Sequence, residues 1–161
     1  MSLLTDYTLQ TGITNPYLRT VCDPITDFSK DIIKLSKDMA KLMRLHKGTG
    51  LAAPQIGYPI RLATTIQWRT KSDGSMSETG ETVLINPTII KHSEETFSSE
   101  EACLSIPDFI GYVDRYRRVT VEYQDIHANH KTKEFIGYNA AVVQHEIDHL
   151  DGILFVDRMK K

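Results

Sequence analysis

Apolar residues in the first third of the chain recur at helical spacing. Between Asp27 and His46, the positions Phe28, Ile32, Leu35, Met39, Leu42 and Met43 fall mostly three or four apart, and Gly48 lies just beyond. That spacing predicts an N-terminal amphipathic helix of about five turns. The pattern then changes character. Arg61 to Trp68, Thr82 to Lys91, Val119 to Asp125 and His130 to Ile136 are rich in β-branched or aromatic residues and are separated by turn formers. They read as strands, joined partly as antiparallel hairpins. Lys71 to Glu81, rich in Ser, Gly and Glu, reads as a surface loop. The segment from Asn139 to Gly152 predicts a short, largely buried helix, with Asn139 as its cap, Ala140, Ala141, Val142 and Val143 as an apolar first turn, and Gly152 at a left-handed terminus. A helix, a run of strands and a final helix predict an α+β fold rather than an alternating α/β one. Mainly antiparallel strands would pack around the C-terminal helix.

Composition narrows the class. A length of 161 residues suits a single domain spanning residues 1–161. Apolar residues make up 40% and charged residues 25%, with a formal net charge of -2, so no basic excess points to nucleic acid. The clusters Arg115, Arg117, Arg118 and Lys131, Lys133 alternate with other residue types and read as solvated strand faces. No apolar run approaches ~18 residues, so no membrane helix is expected. Met1 to Gln10 contains Asp6 and no Arg, which argues against a secretory or transit segment and makes the cytoplasm the expected location. Two cysteines, Cys22 and Cys103, do not make a disulfide framework; in a reducing compartment each is a free thiol or a ligand.

The final helix carries the chemistry. Gln144-His145-Glu146-Ile147-Asp148-His149-Leu150 places two imidazoles four residues apart, on one helix face about a turn from each other. Two such nitrogens can share one divalent cation, and Glu146 then lies near any water on it. Histidines on a buried helix need a partner, because unpaired polar groups are costly there. A catalytic metal site usually takes three protein ligands, so a third is required from elsewhere. Cys103, within Glu100-Glu101-Ala102-Cys103-Leu104-Ser105-Ile106-Pro107, is a candidate; a buried structural cysteine is the commoner role for a lone Cys. Gly48-Thr49-Gly50-Leu51-Ala52-Ala53-Pro54-Gln55-Ile56-Gly57 carries little side-chain bulk and admits close approach of another backbone. Its polar side chain Gln55 suits an oxyanion donor beside a metal. The stretch does not fit a phosphate-binding loop, since no Lys-Ser/Thr pair follows the glycines.

In order and sequence these three segments resemble the peptide deformylases, whose motifs read Gly-x-Gly-Leu-Ala-Ala-Pro-Gln-x-Gly, Glu-Gly-Cys-Leu-Ser and Gln-His-Glu-x-Asp-His-Leu. The first is complete here from Gly48 to Gly57 and the third from Gln144 to Leu150; the second departs at Ala102, where the family has Gly. The resemblance implies a metal-dependent hydrolase that removes the formyl group from N-formyl-methionyl nascent peptides and releases formate. It implies Cys103, His145 and His149 as metal ligands, Glu146 as general acid/base, and Gln55 with the Leu104 N–H as oxyanion donors. It favours Fe2+ as the ion, with Zn2+, Ni2+ or Co2+ also able to occupy such a site. Ala141 and Val142, which precede His145 on the helix, are the candidates for a narrow apolar pocket, and the strand edge at Gly48 to Gly50 for pairing with substrate backbone. A nascent-chain substrate is compatible with transient proximity to the ribosome. Only residues 153–161 follow Gly152, so the further C-terminal helix that many members carry is not expected.

Two other readings compete with this one. A zinc peptidase shares the two-histidine helix but more often takes a downstream carboxylate or histidine as its third ligand. A catalytically silent metal-binding relative is favoured by Ala102 alone: if the family glycine there has positive φ, alanine would strain it and displace Cys103, whereas if the glycine serves only close packing, one methyl is a smaller problem. His46, His92, His127 and His130 lack ligand spacing and read as surface or helix-end histidines. Tyr112, Tyr116 and Tyr123 read as strand packing, and Glu101 as a partner of Arg115.

Overall fold

Helix α1 (Lys30–Leu45) starts after Ser29, later than the expected Asp27, and buries Leu35, Met39, Leu42 and Met43 on one face. The computed structural model describes residues 6–160; the first five positions of the Met1–Gln10 segment lie outside it. Beyond α1 the chain enters β1 (Gly50–Ala52) and a 3-10 turn, Ala53–Ile56, that closes on Gly57 at φ 85°. Strands β2 (Leu62–Thr70), β3 (Met76–His92), β6 (Arg118–Gln124) and β7 (His130–Ile136) continue an antiparallel sheet in the order β1-β2-β3-β6-β7. A separate hairpin joins β4 (Thr96–Cys103) to β5 (Ile106–Tyr116). Helix α2 (Tyr138–Leu150) and the short α3 (Phe155–Arg158) complete the described chain.

Two apolar clusters flank the sheet. Against α1 lie Leu51, Leu62, Ile66 and Ile85; against α2 lie Leu84, Val119, Val121 and Phe135, packed on Ala140, Val143 and Ile147. Helix α2 therefore has one face in the core and another, carrying His145 and His149, free to meet the β4–β5 hairpin. This mixed α/β arrangement, with antiparallel strands around a C-terminal helix, is the expected fold class.

Three expectations need correction. Lys71 to Glu81 is not all loop: a turn ends at Ser75, and Met76 to Glu81 belong to β3, paired with β2 from Thr70↔Met76 to Ile66↔Glu81. Backbone pairing overrides the polar composition there, and Arg44 of α1 holds both Glu78 and Glu81 from the side. Asn139 does not cap its helix. Gly137 occupies that position at φ 61°, while the Asn139 side chain accepts from the Trp68 N–H at 2.9 Å and donates to the Trp68 carbonyl at 2.8 Å, fastening α2 to β2. Finally, β1, β4 and β5 are strands that the apolar pattern did not single out.

Candidate metal and catalytic site

Three donor atoms converge where α2 meets the end of β4. Cys103, His145 and His149 each offer one ligand atom, and all lie within 4.8 Å of one another. Cys103 Sγ is 3.3 Å from His149 Nε2. The strand delivers the sulfur because β4 ends at Cys103, which a register shift sets off from Ala102 in the pairing with β5. The helix delivers both imidazoles because i and i+4 share a face; their ring centroids are 4.9 Å apart.

The surroundings fix how each imidazole presents itself. His145 Nδ1–H donates to Glu101 Oε2 at 2.9 Å, which leaves Nε2 to face the donor cluster. Glu101 in turn takes two bonds from Arg115, Nε at 2.7 Å and Nη2 at 2.9 Å, so the expected Glu101–Arg115 pair exists and is buried. Burial opposes ionisation of Glu101, but Arg115 and His145 outweigh it and hold the carboxyl down at about 2. Burial also opposes a charged His145, yet its bonds to Cys103 and Glu101 lift it to about 10. His149 is held well below its ordinary value by burial and by the neighbouring His145 and Arg115.

Glu146 is 4% exposed, and its Oε2 has no hydrogen-bond partner. Burial pushes its carboxyl up to about 7, against the opposing pull of His145. Gly50 makes room for it: a Cβ there would stand 2.3 Å from Glu146 Oε1. Gln55 is oriented by the Ala52 N–H, which donates to its Oε1 at 2.8 Å. Its Nε2 then donates to Ser105 Oγ at 3.1 Å and stands 3.6 Å from Cys103 Sγ.

A cleft of about 510 Å³ opens over this cluster, and Gly48, Gly50, Gln55, Cys103, Leu104, Ala141, Val142, His145 and Glu146 all line it. His149 sits behind Cys103, 1% exposed. The structure thus brings the candidate ligands Cys103, His145 and His149 together with Glu146, Gln55, Leu104, Gly48, Gly50, Ala141 and Val142. Leu104 packs across the cleft toward Gly48, its Cδ1 3.1 Å from where a Cβ on that glycine would lie. Ala102 also lines the wall, but no left-handed φ occurs there: among the described residues the positive-φ residues other than glycine are Lys47, Asn86, Asp108 and Ala128. The methyl group therefore puts no backbone strain on Cys103, and the main support for a silent relative falls away. Glu101 as a partner of His145, Ser105, Asp148 and Tyr138 were missed. Glu101 had a usable signal, since in a strand residues i and i+2 share a face and Glu101 must then point with Cys103.

The donor set fits a metal ion. One thiolate and two imidazoles form a three-ligand site for a divalent transition ion, and the carboxylate–histidine bond at His145 is the support such a ligand usually has. The buried Glu146 Oε2, which has no hydrogen-bond partner, marks the same place as built for a further partner. Three ligands beside a buried, unpaired carboxylate make the arrangement of a metal-dependent hydrolase.

The polypeptide deformylase family model matches residues 11–161. A peptide deformylase of Rhodopseudomonas palustris is 41% identical over 144 residues, covering 89% of this chain and 81% of that protein. The crystal structure of the Thermotoga maritima peptide deformylase superposes with a TM-score of 0.86 at 34% identity, over 96% of this chain and 98% of the other. A class I type b peptide deformylase of Acinetobacter baumannii, solved with Met-Ala-Ser bound, gives a TM-score of 0.89 at 32% identity, over 99% and 100% of the two chains. The chain belongs to the peptide deformylase family. Family and donor set together support a single divalent metal ion at Cys103, His145 and His149.

Proposed function

We propose that this chain, acting as one catalytic domain, removes the formyl group from the N-terminal formyl-methionine of nascent polypeptides and releases formate. The observation that carries the reading is the convergence of Cys103, His145 and His149 within 4.8 Å, with Cys103 and His145 lining a cleft that also holds the Glu146 carboxylate, whose Oε2 is unpaired. The bound Met-Ala-Ser of the Acinetobacter baumannii relative, a peptide that begins with Met, supports the substrate class.

Cys103, His145 and His149 would hold the ion, which when bound would supply Lewis acidity toward the formyl oxygen and lower the pKa of water toward neutrality. Gln55 Nε2 and the Leu104 N–H donate to the oxygen that gains charge as the carbonyl carbon becomes tetrahedral, each worth roughly 3 kcal/mol. Glu146 takes a proton from the attacking water and hands it to the peptide nitrogen as the C–N bond breaks, so formate leaves and a free amine remains. Ala141 and Val142 supply apolar wall for the unbranched methionine side chain, and the open edge at Gly48 to Gly50 pairs with substrate backbone. Such a substrate fits a cytoplasmic location and transient proximity to the ribosome.

The direct test measures formate released from a formyl-methionyl peptide, with its unformylated counterpart as control. Release only from the formylated peptide is expected; no release in the presence of any divalent metal would sink the reading. Fe2+ is the proposed physiological ion. Under air the iron form should lose activity while nickel and zinc forms persist, because a site open to substrate exposes an oxidisable ion and the Cys103 sulfur to oxygen. Equal decay of all three forms would remove iron redox chemistry as the cause.

A further inference from the structure

Behind the donor set, Arg115 on β5 and Arg158 on α3 converge on one carboxylate, that of Asp148. Arg115 Nη1 donates to Asp148 Oδ2 at 2.6 Å, while Arg158 donates from Nε to Oδ2 at 2.7 Å and from Nη2 to Oδ1 at 2.8 Å. From Arg115 the bonds run inward to Glu101, and from Glu101 to His145 Nδ1. The chain starts near solvent and ends on a proposed ligand: the Arg158 side chain is 45% exposed, that of Arg115 only 3%.

We propose that Arg158 is a positioning residue for the metal site: it pins Asp148, so that Arg115 stays on Glu101 and Glu101 keeps His145 at its ligating angle. The inference rests on His145 being a ligand. Its logic is a balance of buried charge. Two guanidinium groups face two carboxylates, and each carboxylate oxygen among them has a donor. Without Arg158, Asp148 Oδ1 loses its donor, and a buried carboxylate oxygen without one is costly. The Arg115 guanidinium, already bonded to Oδ2, is then drawn toward Asp148, and every bond it gains there is one loosened at Glu101. A loosened Glu101 no longer fixes the His145 ring, and outer partners of this kind set both ligand orientation and metal affinity.

The rest of the C-terminal segment is docked independently of Arg158. Phe155 is 1% exposed with its ring 6.0 Å from that of His145, and the Leu154 N–H donates to Asp157 Oδ2 at 2.9 Å. Asp157 is in turn paired with Arg19, and Met159 bridges to Val113 and covers Gly111. Removing the guanidinium therefore leaves α3 in place, which separates a role at the metal from a role in holding the helix.

The test uses the full chain as wild type, Arg158→Ala, Arg158→Gln and Arg158→Lys. The visible absorption of the cobalt form reports ligand geometry, and the rate at which a chelator strips zinc reports the hold on the ion. Ala and Gln should shift the cobalt bands and release zinc on the order of ten-fold faster. Lys, which keeps the charge but not the fork, should fall between them and wild type. Unchanged cobalt bands together with zinc release within about two-fold of wild type would overturn the proposal, even where thermal stability falls. Neither readout needs a formylated substrate. A wild-type chain that binds cobalt through Cys103 yet frees no formate would sink the functional reading and leave this one standing.

Discussion

Glu146 owes its usefulness to the cost of burying it. With no partner on Oε2 and a carboxyl pushed up to about 7, it sits near the midpoint between taking and giving a proton at neutral pH. A cation on the neighbouring ligands favours the carboxylate form, so the loaded site should titrate below that value. The expected kcat/KM profile therefore falls on its acid side with a limb below pH 7. Glu146→Gln should keep its metal, lose at least ~100-fold in kcat and lose that limb; metal analysis and pH profiles of the two proteins check all three points. Cys103→Ser, His145→Ala and His149→Ala should do the opposite and give up the ion itself, measured as metal content after dialysis. Full occupancy in all three would remove the site.

At the scale of elements, the close approach of β1 to α2 makes its own prediction. Gly50→Ala would put a methyl 2.3 Å from Glu146 Oε1 and drive the carboxylate off its line, whereas Gly48→Ala meets the flexible tip of Leu104 at 3.1 Å and the backbone oxygens of Gly50 and Met43 at ordinary contact distances of 3.4 and 3.5 Å. Misplacing a catalytic group by about 1 Å can cost ~100-fold. Gly50→Ala should thus lose kcat heavily with metal content intact, and Gly48→Ala should lose far less; equal losses in steady-state assays would show that Glu146 is not what Gly50 accommodates. These two elements differ in how well the sequence announces them. Helix α2 was legible because Ala140, Val143 and Ile147 keep the helical period while His145 and His149 share a face. The β4–β5 hairpin was not, because its alternation is inverted. Its buried positions are Ser99, Glu101, Cys103, Gly111, Val113 and Arg115, of which only Val113 is a large aliphatic residue, while Ile110 and Tyr112 lie on the exposed side. A search for buried apolar alternation cannot find a strand whose inner face is a polar site.

Across the whole molecule, the buried cluster of Glu101, Arg115 and Asp148 ties the hairpin, α2 and α3 into one unit, with Arg158 closing it from outside. The fold and the chemistry share these groups, so acid should attack both together. Glu101 is the member to follow. Its folded-state carboxyl is depressed from an ordinary 4.5 to about 2, because Arg115 and His145 outweigh the burial that opposes charge. A depressed folded value means that the stabilisation is complete above pH 4.5 and lost as pH falls toward 2. The size of the shift corresponds to roughly 3 kcal/mol, a large share of the ~5–15 kcal/mol that holds an ordinary domain folded. In denaturant titrations of the metal-free protein, wild type should lose stability steeply across that interval. Glu101→Gln should be less stable at pH 7, where Arg115 is left short of a charged partner, yet show a flatter slope in acid, because the titrating group is gone. Matching slopes in the two proteins would place the acid sensitivity in some other carboxylate.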